Sequence, residues 1–201
     1  MGMKKIEMRS LDIRAADDGG GDELRVEGYA AVFNQRTMLW ESPWSGTKYY
    51  EQIDPAAIDA QTDMSDIVLR YNHSDSALLL ARSSNGTLTV TPDEKGLKIE
   101  ARIAPTTAGK DIYALIKRGD ISKMSFAFSV DKESWESDKM AKEETRTIQH
   151  ISSVIDVSPV DFPAYDGTSI DARGSADVIE QLKQKEKDDE LRQRLIVATY
   201  L

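Results

Sequence analysis

The sequence predicts a mostly β fold with helices, an α+β arrangement in which a largely antiparallel β-barrel or half-barrel carries two or three helices and a charged C-terminal helix. Three observations predict it. The stretch "KMSFAFSV" alternates with a period of two, placing Met124, Phe126, Phe128 and Val130 on one face of a strand and Ser125, Ala127 and Ser129 on the other. "NGTLTVTPDEKGLKIEARI" reads as a hairpin, with Leu88 and Val90, a turn at Asp93-Glu94-Lys95-Gly96, and then Leu97, Ile99 and Ala101. From 176 to 201 the pattern changes, with Val178, Leu182, Leu191, Leu195 and Ile196 set in a field of Lys, Glu, Asp and Arg.

Along the chain, "IEMRSLDIRA" alternates loosely through Ile6, Met8, Ser10 and Ile13, and "ADDGGGDE" marks a flexible turn. "ELRVEGYAAVFN" resumes as a strand with the β-formers Val26, Tyr29 and Val32. "QRTMLWESPWSGTKYYEQI" reads as a long polar and aromatic loop carrying Trp40 and Trp44, of a length usually tied to function or disorder. In "DPAAIDAQ", Asp54 is placed to cap a short helix with Pro55 at its first position. "DIVLRYNHSD" is a strand ending at His73. "TTAGKDIYALIKRGD" is a helix capped by Thr106 or Thr107, with Ile112, Leu115 and Ile116 as its apolar face and Gly119 as its stop. "DKESWESDKMAKEETR" reads as a solvated loop or hairpin tip, and "TIQHISSVIDVSPVDFP" as a strand with Pro159 and Pro163 near its exit.

The bulk numbers narrow the function. At 201 residues the chain can bury one sizeable core, and 40% hydrophobic with 30% charged residues is ordinary for a globular protein. A net charge of -9 with no basic run argues against direct nucleic-acid binding. No run of 18 apolar residues predicts a membrane span, and "MGMKKIEMRS" lacks the apolar core of a secretory signal. The absence of cysteine excludes thiol catalysis, disulfides and cysteine zinc sites. With only two histidines and no carboxylates at ligand spacing, no metal and no cofactor is expected.

What remains is oxygen, amine and imidazole chemistry. A serine hydroxyl becomes a nucleophile when a base takes its proton, commonly a His held in one tautomer by a third group. Ser125 on a small-residue strand face, His73 at a strand end, and His150 and Asp156 on a later strand could supply those parts. Taken singly each has a blander reading: strand serines are mostly structural, and a lone His at a strand end is usually a loop anchor. His150 and Asp156 share parity, so an unbroken strand points both to one face roughly 20 Å apart, and only one could orient His73. A bulge between them, for instance at Ser152-Ser153, would undo that argument, so both stay open. "NGT" at Asn85 is read as a turn, the glycines at 19–21 as a linker, Asp54, Asp59, Asp63 and Asp66 as solvated positions, and Tyr49-Tyr50 with the tryptophans as packing.

The order of motifs is more specific than any one of them. "VEGYAAVFN", "YYEQIDPAAI", "VLRYNHSD", the hairpin, "TTAGKDIYALIKRGDISKMSFAFSV" and "IDVSPVDFPAY" together resemble the prohead proteases of tailed bacteriophages, the serine proteases of capsid maturation, from about Val26 to Tyr165. That family is related to the herpesvirus assemblins, so the resemblance implies an assemblin-like antiparallel β-barrel surrounded by helices. It makes Ser125 the nucleophile, His73 the general base and Asp156 the third member, where this family usually has Glu. The assemblins use a second His there, which keeps His150 as the alternative.

The implied division is 1–22 as an N-terminal strand and turn, 23–170 as the protease domain, and 171–201 as a charged helix that reads as exposed and as a candidate removable tail. The implied substrates are the scaffold or the scaffolding segment of the major capsid protein, and the chain itself by autocleavage. The implied place is the host cytoplasm, inside the immature phage capsid, and the assemblin relationship raises a homodimer. Against this stands a non-enzymatic capsid-assembly protein on the same fold with a degraded triad, fed by the Asp at 156. A generic β-barrel binding module is the remaining reading.

Overall fold

The computed structural model describes residues 6–16, 23–74, 79–161, 179–188 and 191, with side chains from residue 12 onward. Its element order is β1 (Ile6–Ala15), β2 (Leu24–Val32), β3 (Thr37–Glu41), β4 (Lys48–Ile53), β5 (Val68–Leu69), β6 (Ala81–Arg82), β7 (Leu88–Pro92), β8 (Gly96–Ile103), α1 (Thr107–Arg118), β9 (Lys123–Asp138) and β10 (Glu143–Val160). A second helix, α2, covers 179–188.

The main sheet runs β3-β4-β10-β9-β1-β2-β8-β7, with β5 and β6 attached beside β10. The fold is thus mixed α+β and mostly sheet. Among the described residues, β3 and β7 end the path and do not pair with each other, so the sheet is open where a closed barrel was expected. It is also not purely antiparallel, because β10 takes β4 and β5 as parallel neighbours. Both parallel strands arrive by long connections, which a reading of adjacent strand pairs does not register.

The expected hairpin β7–β8 forms, its turn closed by Asp93, which accepts from the amides of Lys95 (2.8 Å) and Gly96 (2.9 Å). A Cβ at Gly96 would lie 1.9 Å from the Ala31 carbonyl oxygen, so only glycine lets β8 approach β2 there. Thr106 caps α1 by accepting from the Gly109 amide at 3.1 Å, and Gly119 ends it at φ 90°, the left-handed conformation that glycine adopts without penalty. Asp54 accepts from the Ala56 amide and starts a three-residue 3₁₀ turn rather than an α-helix.

One stretch differs from expectation: the supposed long loop around Trp40 is largely the β3–β4 hairpin, with a register shift between Met38 and Trp40 that breaks the alternation. Of the two readings of the stretch after Val130, loop or hairpin tip, the structure has the second: it is the outer half of one long β9–β10 hairpin, whose strands stay paired from Asp138/Glu143 inward. The core lies on the Met124, Phe126 and Phe128 face of β9, all fully buried, with the two Phe rings stacked at 4.3 Å. Ile13, Val26, Leu97, Ile99, Tyr113, Ile116 and Ile148 join the same cluster.

Candidate active site

The site begins with the face of β9 opposite that core. Ser125 stands between Ser10 of β1 and Ser158 of β10, and Ala127 stands opposite Asp156. Directly opposed residues share a face, so Ser125, Ala127, Asp156 and Ser158 project to one side while Phe126 and Val157 project to the other. Register shifts in β10 between Ile151 and Ser153 and between Val154 and Asp156 set this phase. A strand without those bulges would carry a different set of residues to the Ser125 face.

β5 runs beside β10 and brings His73 with it. Val68 pairs with Asp156, the Arg70 amide donates to Val157 O at 3.3 Å, and the Asn72 amide donates to Pro159 O at 3.0 Å. The chain then turns sharply, with Asn72 at φ 52° and His73 at φ 53°. Positive φ is uncommon outside glycine, and Asn and His are among the residues that tolerate it. The turn is clamped from outside: Asn72 Nδ2 donates to Asp161 Oδ2 at 2.8 Å, the Asp161 amide donates back to Asn72 Oδ1 at 3.1 Å, and the Tyr71 hydroxyl donates to Asp161. Burial, and then that carboxylate, push the Tyr71 hydroxyl up to about 12. The expected strand into His73 is therefore only two residues long, and a clamped turn carries the imidazole.

The result is a buried imidazole–carboxylate pair. His73 Nδ1 lies 2.6 Å from Asp156 Oδ1, and Asp156 is 5% exposed. The same Oδ1 accepts from the fully buried Ser158 hydroxyl at 2.9 Å, while Arg70 Nε lies 3.9 Å from Oδ2. Oδ1 as acceptor makes Nδ1 the protonated nitrogen of a neutral ring and leaves Nε2 as the basic one. Among the described residues His73 Nε2 is buried and has no hydrogen-bond partner. Ser125 is 3% exposed, on the same face, and its hydroxyl is not bonded to Nε2.

His150 lies elsewhere. Its Nδ1 is 2.5 Å from Asp131 and its Nε2 is 3.3 Å from Asp59, and its register partner is Lys132, seven positions along β9 from Ser125. At ~3.3 Å per residue that is on the order of 20 Å from the Ser125 position. The Asp131 carboxylate, followed by that of Asp59, raises the His150 pKa. The structure thus brings His73 and Asp156 into contact, sets Ser125 on their face, and gives His150 different partners. Sequence reasoning passed over Ser158, Arg70, Tyr71 and Asp161. Ser158 does stand two residues after Asp156, the i+2 spacing of same-face strand neighbours, which was the available signal.

A sequence model of the caudovirus prohead serine proteases matches residues 9–185, a span that includes Ser125, His73, Asp156 and His150. The chain belongs to this family. No curated protein and no solved structure gives a significant match. Prohead serine proteases are hydrolases that act on capsid proteins during capsid maturation, in the interior of the phage capsid within the host cell. Among the described residues, no helix is long and apolar enough to cross a membrane, and no group of three or more His, Asp or Glu residues is arranged to hold a metal ion.

Proposed function

We propose that this chain is an active serine endopeptidase with Ser125 as nucleophile, His73 as general base and Asp156 as the group that orients His73. The observation that carries this reading is the 2.6 Å contact of His73 Nδ1 with Asp156, on the sheet face that also holds Ser125. An Asp, one methylene shorter than the family's usual Glu, still reaches the imidazole because β5 lies directly against β10. That contact supports the enzymatic reading over a degraded triad, a reading fed by the shortened side chain at 156.

Ser125 Oγ attacks the scissile carbonyl carbon as its proton passes to His73 Nε2. Asp156 holds the Nδ1 proton and stabilises the imidazolium that forms; its own carboxylate stays ionised. Collapse of the tetrahedral intermediate breaks the C–N bond, and His73 returns the proton to the leaving amine. Water then adds to the acyl-enzyme with His73 again as base, releasing the new carboxyl group and free Ser125. A nucleophile–base hydrogen bond that is open without substrate is common and closes in the productive complex. The substrates proposed are the scaffold or the scaffolding segment of the major capsid protein, and the chain's own peptide bonds.

Intact-mass analysis after incubation with a fluorophosphonate tests the assignment. One adduct is expected on the parent and none on Ser125→Ala. Asp156→Asn, which favours the wrong tautomer, should slow labelling by ~10²- to 10⁴-fold, and His73→Ala at least as much. An unlabelled but folded parent, with and without capsid protein, would sink the enzymatic reading. Equal labelling of Asp156→Asn and parent would remove Asp156 from it and return attention to His150.

A further inference from the structure

A cation stands beside the buried His73–Asp156 pair, and β5 places it there. Val68 and Leu69 pair with Asp156 and Val157, and the chain continues along β10 with the Arg70 amide donating to Val157 O. Leu69 is fully buried in the core. Strand alternation therefore turns Val68 and Arg70 to the opposite face, the one that holds Asp156, Ser158 and Ser125. Arg70 Nε ends 3.9 Å from Asp156 Oδ2, with the Arg70 side chain 18% exposed and that of Asp156 7% exposed.

At 3.9 Å this contact is too long for a hydrogen bond, so it acts through charge and not by orienting the carboxylate. Orientation comes from Oδ1, which holds His73 Nδ1 at 2.6 Å and the Ser158 hydroxyl at 2.9 Å. Charge carries weight here, because near a protein surface two unit charges interact about four times as strongly as in bulk water. The other charged groups around the pair are matched by partners of their own. Arg82 of β6, in the row of Val68 and Asp156, pairs with Asp66 through Nε at 2.8 Å. Lys123, two positions before Ser125 on β9, pairs with Asp12 at 2.8 Å. Asp161 accepts from the Tyr71 hydroxyl and Asn72 beyond the turn. The hydroxyls of Ser125 and Ser158 are neutral. Asp156 and Arg70 are thus the anion and the cation, among the described residues, that act on the imidazole together.

We propose that Arg70 is a positioning residue of the protease, one that sets the acid limit of its activity by opposing a second positive charge on His73. A carboxylate at hydrogen-bond distance favours the imidazolium, and a cation behind that carboxylate works against it. With both in place, the ring stays a free base into more acid conditions than Asp156 alone would allow, and the Nδ1 hydrogen bond is kept. This rests on the assignment of Ser125 as nucleophile and His73 as base.

The chain has 2 histidines, so their ring resonances can be followed separately by NMR, with His150→Gln identifying the His73 signal by elimination. Full-length parent, Arg70→Met, Arg70→Gln and Arg70→Lys are titrated in this way, and fluorophosphonate labelling rates are measured over the same pH range. The two neutral variants should move the midpoint of the His73 signal and the acid limb of labelling upward by about one pH unit. On that limb they label about tenfold more slowly, while the plateau rate stays within a few-fold of the parent. Arg70→Lys, which keeps the charge, should hold both near the parent values. An unchanged midpoint in both neutral variants, folded by circular dichroism, would make Arg70 a packing residue and end the proposal whatever the labelling shows. A midpoint displaced as far in Arg70→Lys as in Arg70→Met would end it too, because charge would not be the cause. A midpoint that moves as expected in a chain that labels at no pH would keep the charge coupling and remove the protease reading on which the rest depends.

Discussion

Asp156 Oδ1 takes two hydrogen bonds, from His73 and from Ser158, and the second fixes the carboxylate for the first. A hydrogen bond to a charged acceptor contributes roughly 1.5–3 kcal/mol. Ser158→Ala should therefore slow fluorophosphonate labelling by about tenfold or more, with Ser158→Thr, which keeps the hydroxyl, recovering most of the rate. Equal rates for parent and Ser158→Ala would mean that the strand backbone alone positions Asp156. Asn72 acts one step further out, through its backbone at φ 52° and its reciprocal clamp with Asp161. Asn72→Ala loses the clamp and strains the backbone, whereas Asn72→Gly loses the clamp alone. The expected order of labelling rates is parent, then Gly, then Ala, and Gly matching the parent would show that only the conformation matters. The Ser125 face was legible in the sequence because alternation in "KMSFAFSV" is unbroken. The clamp was not, since its halves lie 89 positions apart and meet only through the parallel docking of β5 beside β10.

At the scale of the element, β10 explains why the third site residue stayed ambiguous. Its core positions are Ile148, Ile151, Val154 and Val157, spaced by three rather than two, and the pairing with β9 slips between each consecutive pair of the first three and again after Val154. A period of three fits neither a flat strand nor a helix, and each slip resets which side chains face Ser125. Parity counting from His150 to Asp156 cannot survive that. The β3–β4 hairpin was missed for a related reason: β3 is short, half-buried and bulged, and β4 alternates in burial but spends one buried position on Glu51, so its sequence shows no apolar alternation to read. Besides its backbone ladder with β10, this hairpin's strand β4 is tied to β10 and β9 by an ionic contact. Arg146, almost wholly buried, donates from Nη1 to the equally buried Glu51 of β4 at 2.8 Å and from Nε to Glu133 of β9 at 2.8 Å. Removing one member of a buried pair leaves the other charge desolvated, at a cost of about 3–5 kcal/mol. Arg146→Ala should lower the unfolding free energy by that amount in urea titrations. Pairing Arg146→Met with Glu51→Leu should recover most of it, and if the double variant is no better than Arg146→Ala, the guanidinium acts through packing and not through charge.

Across the whole molecule, the long β9–β10 hairpin joins two regions with different chemistry, the Ser125 face at its inner end and the β3–β4 face at its outer end, where α2, read from sequence as exposed, buries Leu182 against Tyr49. His150 sits between them and fastens the hairpin to the segment after β4, through Asp131 on β9 and Asp59 beyond the 3₁₀ turn. Because it holds separate parts of the chain together, its protonation acts on global stability. Its folded-state pKa is raised, first by the Asp131 hydrogen bond and then by Asp59, above the ordinary value near 6.5 of the unfolded chain. A raised pKa means the folded state binds the proton more tightly, so the stabilisation is complete below ~pH 6.5 and is lost as pH climbs through the raised value. The Asp59 pKa is lowered, by the Gln61 amide first and His150 after it, so its share is present above the ordinary carboxylate range and is lost as pH falls through the lowered value. The melting temperature of the parent should therefore exceed that of His150→Gln most clearly around ~pH 5–6, with the gap narrowing steadily toward ~pH 9. Thermal melts of both proteins across that range at fixed ionic strength measure it. A gap that stays constant would mean that His150 holds these carboxylates as a neutral hydrogen-bond donor, and that the hairpin is fastened by geometry and not by charge.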